Sequence, residues 1–145
     1  MYRNLPLLII PIALAVGVAQ QTGVWEAPPE AKKLKNKVSL TGEKVDGVAK
    51  VYREKCVACH GALGNSHGPE STMISKEPAD FTQVKMMSKI KDGELFWKIS
   101  NGRAPMPGYQ TELSETDRWQ LVNYVRYLAK LSEYHYLGNR RTPSR

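Results

Sequence analysis

The chain has 145 residues, with 21 Lys and Arg against 14 Asp and Glu and a formal net charge of +7. That length holds one domain with appendages, and just two cysteines exclude a disulfide-built scaffold. The lysines alternate with acids, form no arginine-rich stripe and accompany no nucleic-acid motif, so nucleic acid is not expected as a partner; the excess charge serves either as a solvated surface or as a docking face for an acidic protein.

The N-terminus places Arg3 before an uncharged run from Leu5 to Ala19. Such a run is either an export signal, with Gly17-Val18-Ala19 as a small-residue cleavage site, or a retained anchor. We adopt the anchor: Leu5 to Trp25 is about 21 residues, or about 31 Å of helix, against a hydrocarbon core of about 30 Å. Tyr2 and Trp25 would then mark the two interfaces, with Arg3 on the cytoplasmic side. Residues 1–25 therefore read as a transmembrane anchor or signal segment. Residues 26–38 combine Pro28-Pro29 with alternating charge and read as a tether. The folded domain is expected over 39–137, and 138–145 form a polar basic tail with Arg140, Arg141 and Arg145, composed like a disordered segment.

Within the domain the apolar periodicity predicts helices only. Thr41 is placed to cap a first helix, with Val45, Val48, Ala49 and Tyr52 on one face running into Cys56. A short helix fits Asp92 to Ser100, apolar at Leu95, Phe96 and Ile99 and stopped by Gly102. Ser114-Glu-Thr-Asp117 is an N-cap signature for a last helix carrying Trp119, Val122, Val125, Leu128 and Leu131 and read up to Lys130. Gly61 to Met87 and Gly102 to Leu113 show no strand alternation and are too long for plain connectors. The fold class is all-α, with loops that wrap something.

Cys56-Val57-Ala58-Cys59-His60 supplies the chemistry. C-x-x-C-H is the spacing of covalent haem attachment: both thiols meet one edge of the porphyrin and the histidine faces the iron. A thioredoxin-like redox pair shares part of this pattern but goes with a βαβ context, and a structural zinc site needs four ligands where this chain has no second Cys pair. A haem that only carries electrons needs a sixth ligand. Of the five methionines, Met106 lies in Pro105-Met106-Pro107, where fixed φ angles hold a loop in one shape and the flanking Gly102 and Gly108 allow close backbone approach. The alternatives are that Met106 merely fills a gap in the core, or that Met86 or Met87 takes the iron. His67 follows His60 too closely to reach the opposite face, and His135 lies beyond the last predicted helix.

From Ser39 to Leu137 the chain resembles a bacterial class I cytochrome c. The residues that carry the resemblance are Cys56-x-x-Cys59-His60-Gly61, Gly64, Gly68-Pro69, Asp92-Gly93-Glu94-Leu95, Pro105-Met106-Pro107 and Leu121-x-x-Tyr124-Val125-Arg126. The resemblance implies one covalent haem c, with His60 and Met106 on the iron and Pro69 in the loop whose carbonyl accepts the His60 ring N–H. It also implies that the first and last helices cross at Tyr52 and Tyr124. Where the family often has a glycine at that crossing, Val48 stands here beside Gly47. The segment Asp92 to Gly102 is similar to that of monohaem cytochrome subunits in membrane electron-transfer assemblies, in which Phe96 and Trp97 either wall the haem or fill the core. The expected function is one-electron transfer in a membrane-associated respiratory or photosynthetic chain, by a carrier or a non-catalytic subunit of an oxidoreductase complex. The haem domain is expected on the periplasmic side of the bacterial cytoplasmic membrane, with redox proteins as partners. The other readings are a haem enzyme or sensor with an open iron site, and a subunit whose haem is mainly structural.

Overall fold

The computed structural model describes residues 23–140. Ser114 opens the last helix: its Oγ accepts the Asp117 N–H at 3.1 Å and donates to Asp117 Oδ2 at 2.6 Å. This satisfies one of the N–H groups that a helix start leaves free. In chain order the helices are α1 (Pro29–Lys32), α2 (Gly42–Lys55), α3 (Val57–His60), α4 (Val84–Met87), α5 (Asp92–Asn101) and α6 (Glu115–Arg140). Among the described residues there is no strand, only an isolated bridge between Arg103 and Met106, so the expected all-α class is what the structure has. Thr41 is the N-cap of α2, but through its backbone: its carbonyl accepts the Lys44 and Val45 N–H groups, and no side-chain cap bond forms.

The core lies between α2, α5 and α6. Leu121 and Val122 of α6 are fully enclosed, and Tyr52 of α2 is 1% exposed. Each aliphatic side chain of this kind stabilises the fold by about 1.5–3 kcal/mol. The Tyr52 and Tyr124 rings meet at 5.1 Å between centroids, at the α2–α6 crossing that the resemblance implied. Val48 is buried in this interface, whereas a Cβ on Gly47 would meet nothing within 4 Å; the crossing is filled by valine and the glycine faces away. Phe96 stacks on Trp119 at 4.0 Å, with the Arg118 guanidinium 4.9 Å from the Phe96 ring centre. Arg126 of α6 gathers the α4–α5 connection, donating to the Met87 carbonyl at 2.5 Å, to the Ile90 carbonyl and to Asp92 Oδ1 at 2.9 Å.

Residues 26–38 are not a free tether. Ala27 and Ala31 are buried, and a Cβ on Gly93 would lie 2.0 Å from the Ala31 carbonyl oxygen, so α1 sits directly on α5. Asn36 Nδ2 donates to the Trp119 carbonyl at 3.3 Å and to Asn123 Oδ1 at 2.9 Å, and Asn123 Nδ2 donates to the Val38 carbonyl at 2.8 Å. Gln120 Nε2 donates to the Ser39 carbonyl at 3.2 Å. A segment of polar composition is thus held by backbone and amide bonds that no hydropathy pattern encodes. Further N-terminal, residues 23–25 are not helical and Trp25 lies against the domain, so an anchor cannot run to Trp25 as an unbroken helix. The rest of the anchor reading, residues 1–22, lies outside the described residues. Among the described residues no helix is long and apolar enough to cross a membrane. At the other end α6 continues past Lys130 to Arg140, taking in the first residues of the expected tail, while 141–145 lie outside the described residues.

The two glycines predict opposite outcomes. Gly93→Ala forces a methyl into the Ala31 carbonyl and should cost about 1–3 kcal/mol, read as a lower denaturant midpoint. Gly47→Ala adds a methyl in open space within α2 and should stabilise by about 0.5–1 kcal/mol.

Candidate functional site

The segment from Cys56 to His60 breaks the helix just before it. Cys56 has φ −123° and ψ −34°, which ends α2 and starts α3 as a separate turn. The His60 N–H donates to the Cys56 carbonyl at 2.8 Å, and Gly61, with φ +77°, takes a left-handed conformation that a side chain would resist. The following loop folds back over this turn: the Ser66 N–H donates to the His60 carbonyl at 3.0 Å and the Glu70 N–H to the Ala58 carbonyl at 2.8 Å. Gly68 lies so close that a Cβ would be 2.3 Å from the Ala58 oxygen.

Two tyrosine hydroxyls hold the ends of the turn. Tyr52 donates to the Gly61 carbonyl at 3.0 Å and Tyr109 to the Lys55 carbonyl at 2.8 Å. Burial raises both phenols, Tyr52 far above its usual range and Tyr109 to about 12, the Cys56 thiol adding to each. Both therefore stay protonated donors at any physiological pH.

His60 is fixed by the carbonyl of Ala79, 3.1 Å from its Nδ1, and by the Phe81 ring stacked on it at 4.7 Å. This corrects the expectation for Pro69. The loop around Gly68-Pro69 caps the backbone of the turn, and the ring's acceptor comes from Pro78-Ala79 further along the same loop. Burial lowers the imidazole's affinity for a proton, and the Ala79 bond only partly offsets this. A neutral ring that donates from Nδ1 leaves the Nε2 lone pair available to a metal. Burial, and then the neighbouring Cys59, push the Cys56 thiol up to about 12.

Cys56, Cys59 and His60 face a cavity of about 310 Å³ with an almost wholly apolar wall. Tyr52, Phe81, Leu95, Ile99, Leu121 and Val125 form its floor from the core side; Ile74 and Pro78 close it from one loop, and Pro105, Met106 and Pro107 from the other. The volume lies at the lower end of the range for cofactor sites. The Met106 loop is pinned on several sides. Arg103 and Met106 exchange backbone bonds at 2.9 Å, and the Tyr109 N–H donates to the Ile99 carbonyl at 3.0 Å. A Cβ on Gly102 would meet the Gly108 nitrogen at 2.4 Å. Met87 also borders the cavity but is 2% exposed within the core cluster, whereas Met73 is exposed. His67 and His135 are exposed and lie outside the cavity lining, as do Phe96 and Trp97. Trp25 lines it instead; the composition of its surroundings pointed to a membrane interface, and no local pattern reveals its place here. Among the described residues no three His, Cys, Asp or Glu side chains gather as a zinc site would require.

The donor set fits a haem: two thiols and an imidazole on one turn, beside an apolar cavity with the Met106 thioether on its opposite loop. These are the features of a haem-binding electron-transfer domain. Comparison with known proteins gives the family. The profile described as cytochrome c oxidase, cbb3-type, subunit III matches residues 43–125. Cytochrome c6 of Petalonia fascia is 32% identical over 75 residues, covering 52% of this chain and 81% of that protein. Cytochrome c6 of Bumilleriopsis filiformis is 26% identical over 81 residues, covering 56% and 87%. A chain of the Kuenenia stuttgartiensis reducing HAO-like protein complex superposes with a TM-score of 0.54 at 29% identity, covering 66% of this chain and about half, 49%, of that one. The chain belongs to the cytochrome c family: it is a class I c-type cytochrome, an electron carrier with covalently bound haem c.

Haem should therefore remain with the denatured polypeptide through acid-organic extraction. Cys56→Ser combined with Cys59→Ser should release it and leave little folded domain, because ligation and folding are coupled in small domains of this kind; absorbance of the extracted and residual fractions checks this.

Proposed function

We propose that this cytochrome carries single electrons between protein partners, that His60 and Met106 would ligate its haem iron, and that it has no substrate chemistry of its own. The observation that carries the reading is the single cavity whose wall includes Cys56, Cys59, His60 and Met106 together. Haem c supplies a one-electron Fe(III)/Fe(II) couple. The chain's own residues do the rest. The Ala79 carbonyl orients His60 and strengthens its donor nitrogen, and the aromatic and aliphatic wall excludes water. The thioether of Met106 favours Fe(II) and so a relatively high potential. Met106 is preferred to Met87 because its loop is braced at both ends beside the cavity, while Met87 is packed among Leu95, Leu121 and Val125. The hydrogen bonds that hold the Tyr109 end of this loop run to Ile99 and, through the phenol, to Lys55, the residue before Cys56.

Met106→Ala should open the reduced iron to carbon monoxide, lower the potential and abolish the weak far-red sulfur-to-iron band. A variant that keeps the band would assign the iron to another methionine. Carbon monoxide binding by the unaltered protein would favour an enzyme or sensor with an open site.

For partners, the excess of seven positive charges favours an acidic redox protein, and likeness to a chain of a multiprotein complex supports work inside an assembly. The haem domain is placed on the outer side of a bacterial cytoplasmic membrane, because Arg3 precedes the apolar run as in exported or anchored chains. The intact mass of the mature protein tells a retained anchor from a cleaved signal. Electron transfer to a separate acidic partner should slow steeply as salt is added, measured by stopped-flow reduction at several ionic strengths; a rate indifferent to salt leaves the charge as a solubilising surface.

A further inference from the structure

One wall of the haem cavity comes from outside the family domain. The profile match begins at residue 43, yet Trp25 lines the cavity. Its ring is flanked by two cations that line the same wall: Lys98 Nζ lies 5.4 Å from the ring centre and the Arg103 guanidinium 5.2 Å. Arg103 Nη1 also donates to the Gly23 carbonyl at 2.9 Å. These positions are not set by protein carboxylates alone. Lys98 is paired with Glu94 at 2.8 Å, with both side chains mostly buried. Arg103 makes no salt bridge among the described residues. The Arg103 guanidinium, held by a ring face and a carbonyl at the wall of an apolar cavity, has no carboxylate partner among the described residues. The group that fills this cavity brings two carboxylates, the haem propionates.

We propose that residues 23–25 form a strap that completes the haem site, with Trp25 as a positioning residue that holds Arg103 at the cavity wall to meet a propionate carboxylate. The inference rests on haem occupying this cavity and not on the identity of the sixth ligand. Fixed at the cavity wall, the Arg103 charge offsets propionate charge that the iron would otherwise sense, and this favours the lower-charged Fe(II). Without the indole face the Arg103 side chain swings into water, where its influence is screened, while Lys98 keeps its Glu94 partner. Trp25 therefore acts on the iron through Arg103.

The test compares the full-length holoprotein with Trp25→Ala, Trp25→Phe, Arg103→Gln and the Trp25→Ala/Arg103→Gln double variant, by midpoint potential and thermal midpoint. Trp25→Ala and Arg103→Gln should each shift the couple towards Fe(III), up to about tenfold, which for one electron is about 59 mV. The double variant should shift no further than the larger single effect, because both act through one contact, and Trp25→Phe, which keeps a ring face, should stay near the parent. A Trp25→Ala protein with a lower thermal midpoint but an unchanged potential would reduce the strap to a structural brace and overturn the proposal. Fully additive shifts would overturn it as well. Should Trp25→Ala fail to fold, Arg103→Gln decides alone, an unchanged potential being the contrary result. The far-red band of the parent protein reports Met106 ligation separately, so failure of that reading leaves the potential comparison intact.

Discussion

The domain is organised around two phenolic hydroxyls that grip one short turn. Tyr52 and Tyr109 donate to the carbonyls of Gly61 and Lys55, the residues on either side of the segment from Cys56 to His60. Each tyrosine also belongs to something else. Tyr52 packs on Tyr124 at the crossing of the first long helix with the last, and Tyr109 closes the loop that carries Met106 and ties it to the end of α5. The attachment turn, the helix crossing and the opposite loop are thus linked through two side chains, and a shift in any of them reaches the others.

The same economy shows in the core. Tyr52, Phe81, Leu95, Leu121 and Val125 are core residues and cavity wall at once. A domain of roughly 100 residues buries too little surface for a generous interior, so the cofactor serves as the missing part of it. The long loops follow from this. Phe81 comes from a loop and not from a helix, stacks on His60, and is packed so tightly that a Cβ on Gly64 would meet it at 3.0 Å.

Features written in local order were legible in the sequence. The attachment motif, the Ser114–Asp117 cap and the apolar face of α6 all declare themselves within a few residues. What was missed depends on partners far apart along the chain. The acceptor for His60 is a backbone carbonyl, which any residue offers, so no side chain could single out Ala79 over the Pro69 region. Asn36 looks like linker composition, and only its bonds to Trp119 and Asn123 reveal a packed segment. Arg126 stands out as part of a family motif, but its clamp on the Met87 and Ile90 carbonyls is visible only once α6 lies beside them.

The packing of residues 23 to 39 also removes slack. A flexible linker of some 13 residues would let its ends wander on the order of 20 Å apart, and a haem at its end could swing from donor to acceptor as if on a leash. Here the chain is fastened to α6 through Asn36 and to α5 through Ala31, and Gly23 is bonded to Arg103 at the rim of the haem cavity. Residues 23–39 therefore hold one position against the domain, with Gly23 at the rim of the haem cavity. A haem domain packed in this way keeps one arrangement of chain around its cavity rim, and electrons must be brought to it and taken away by partners that come within reach of that rim.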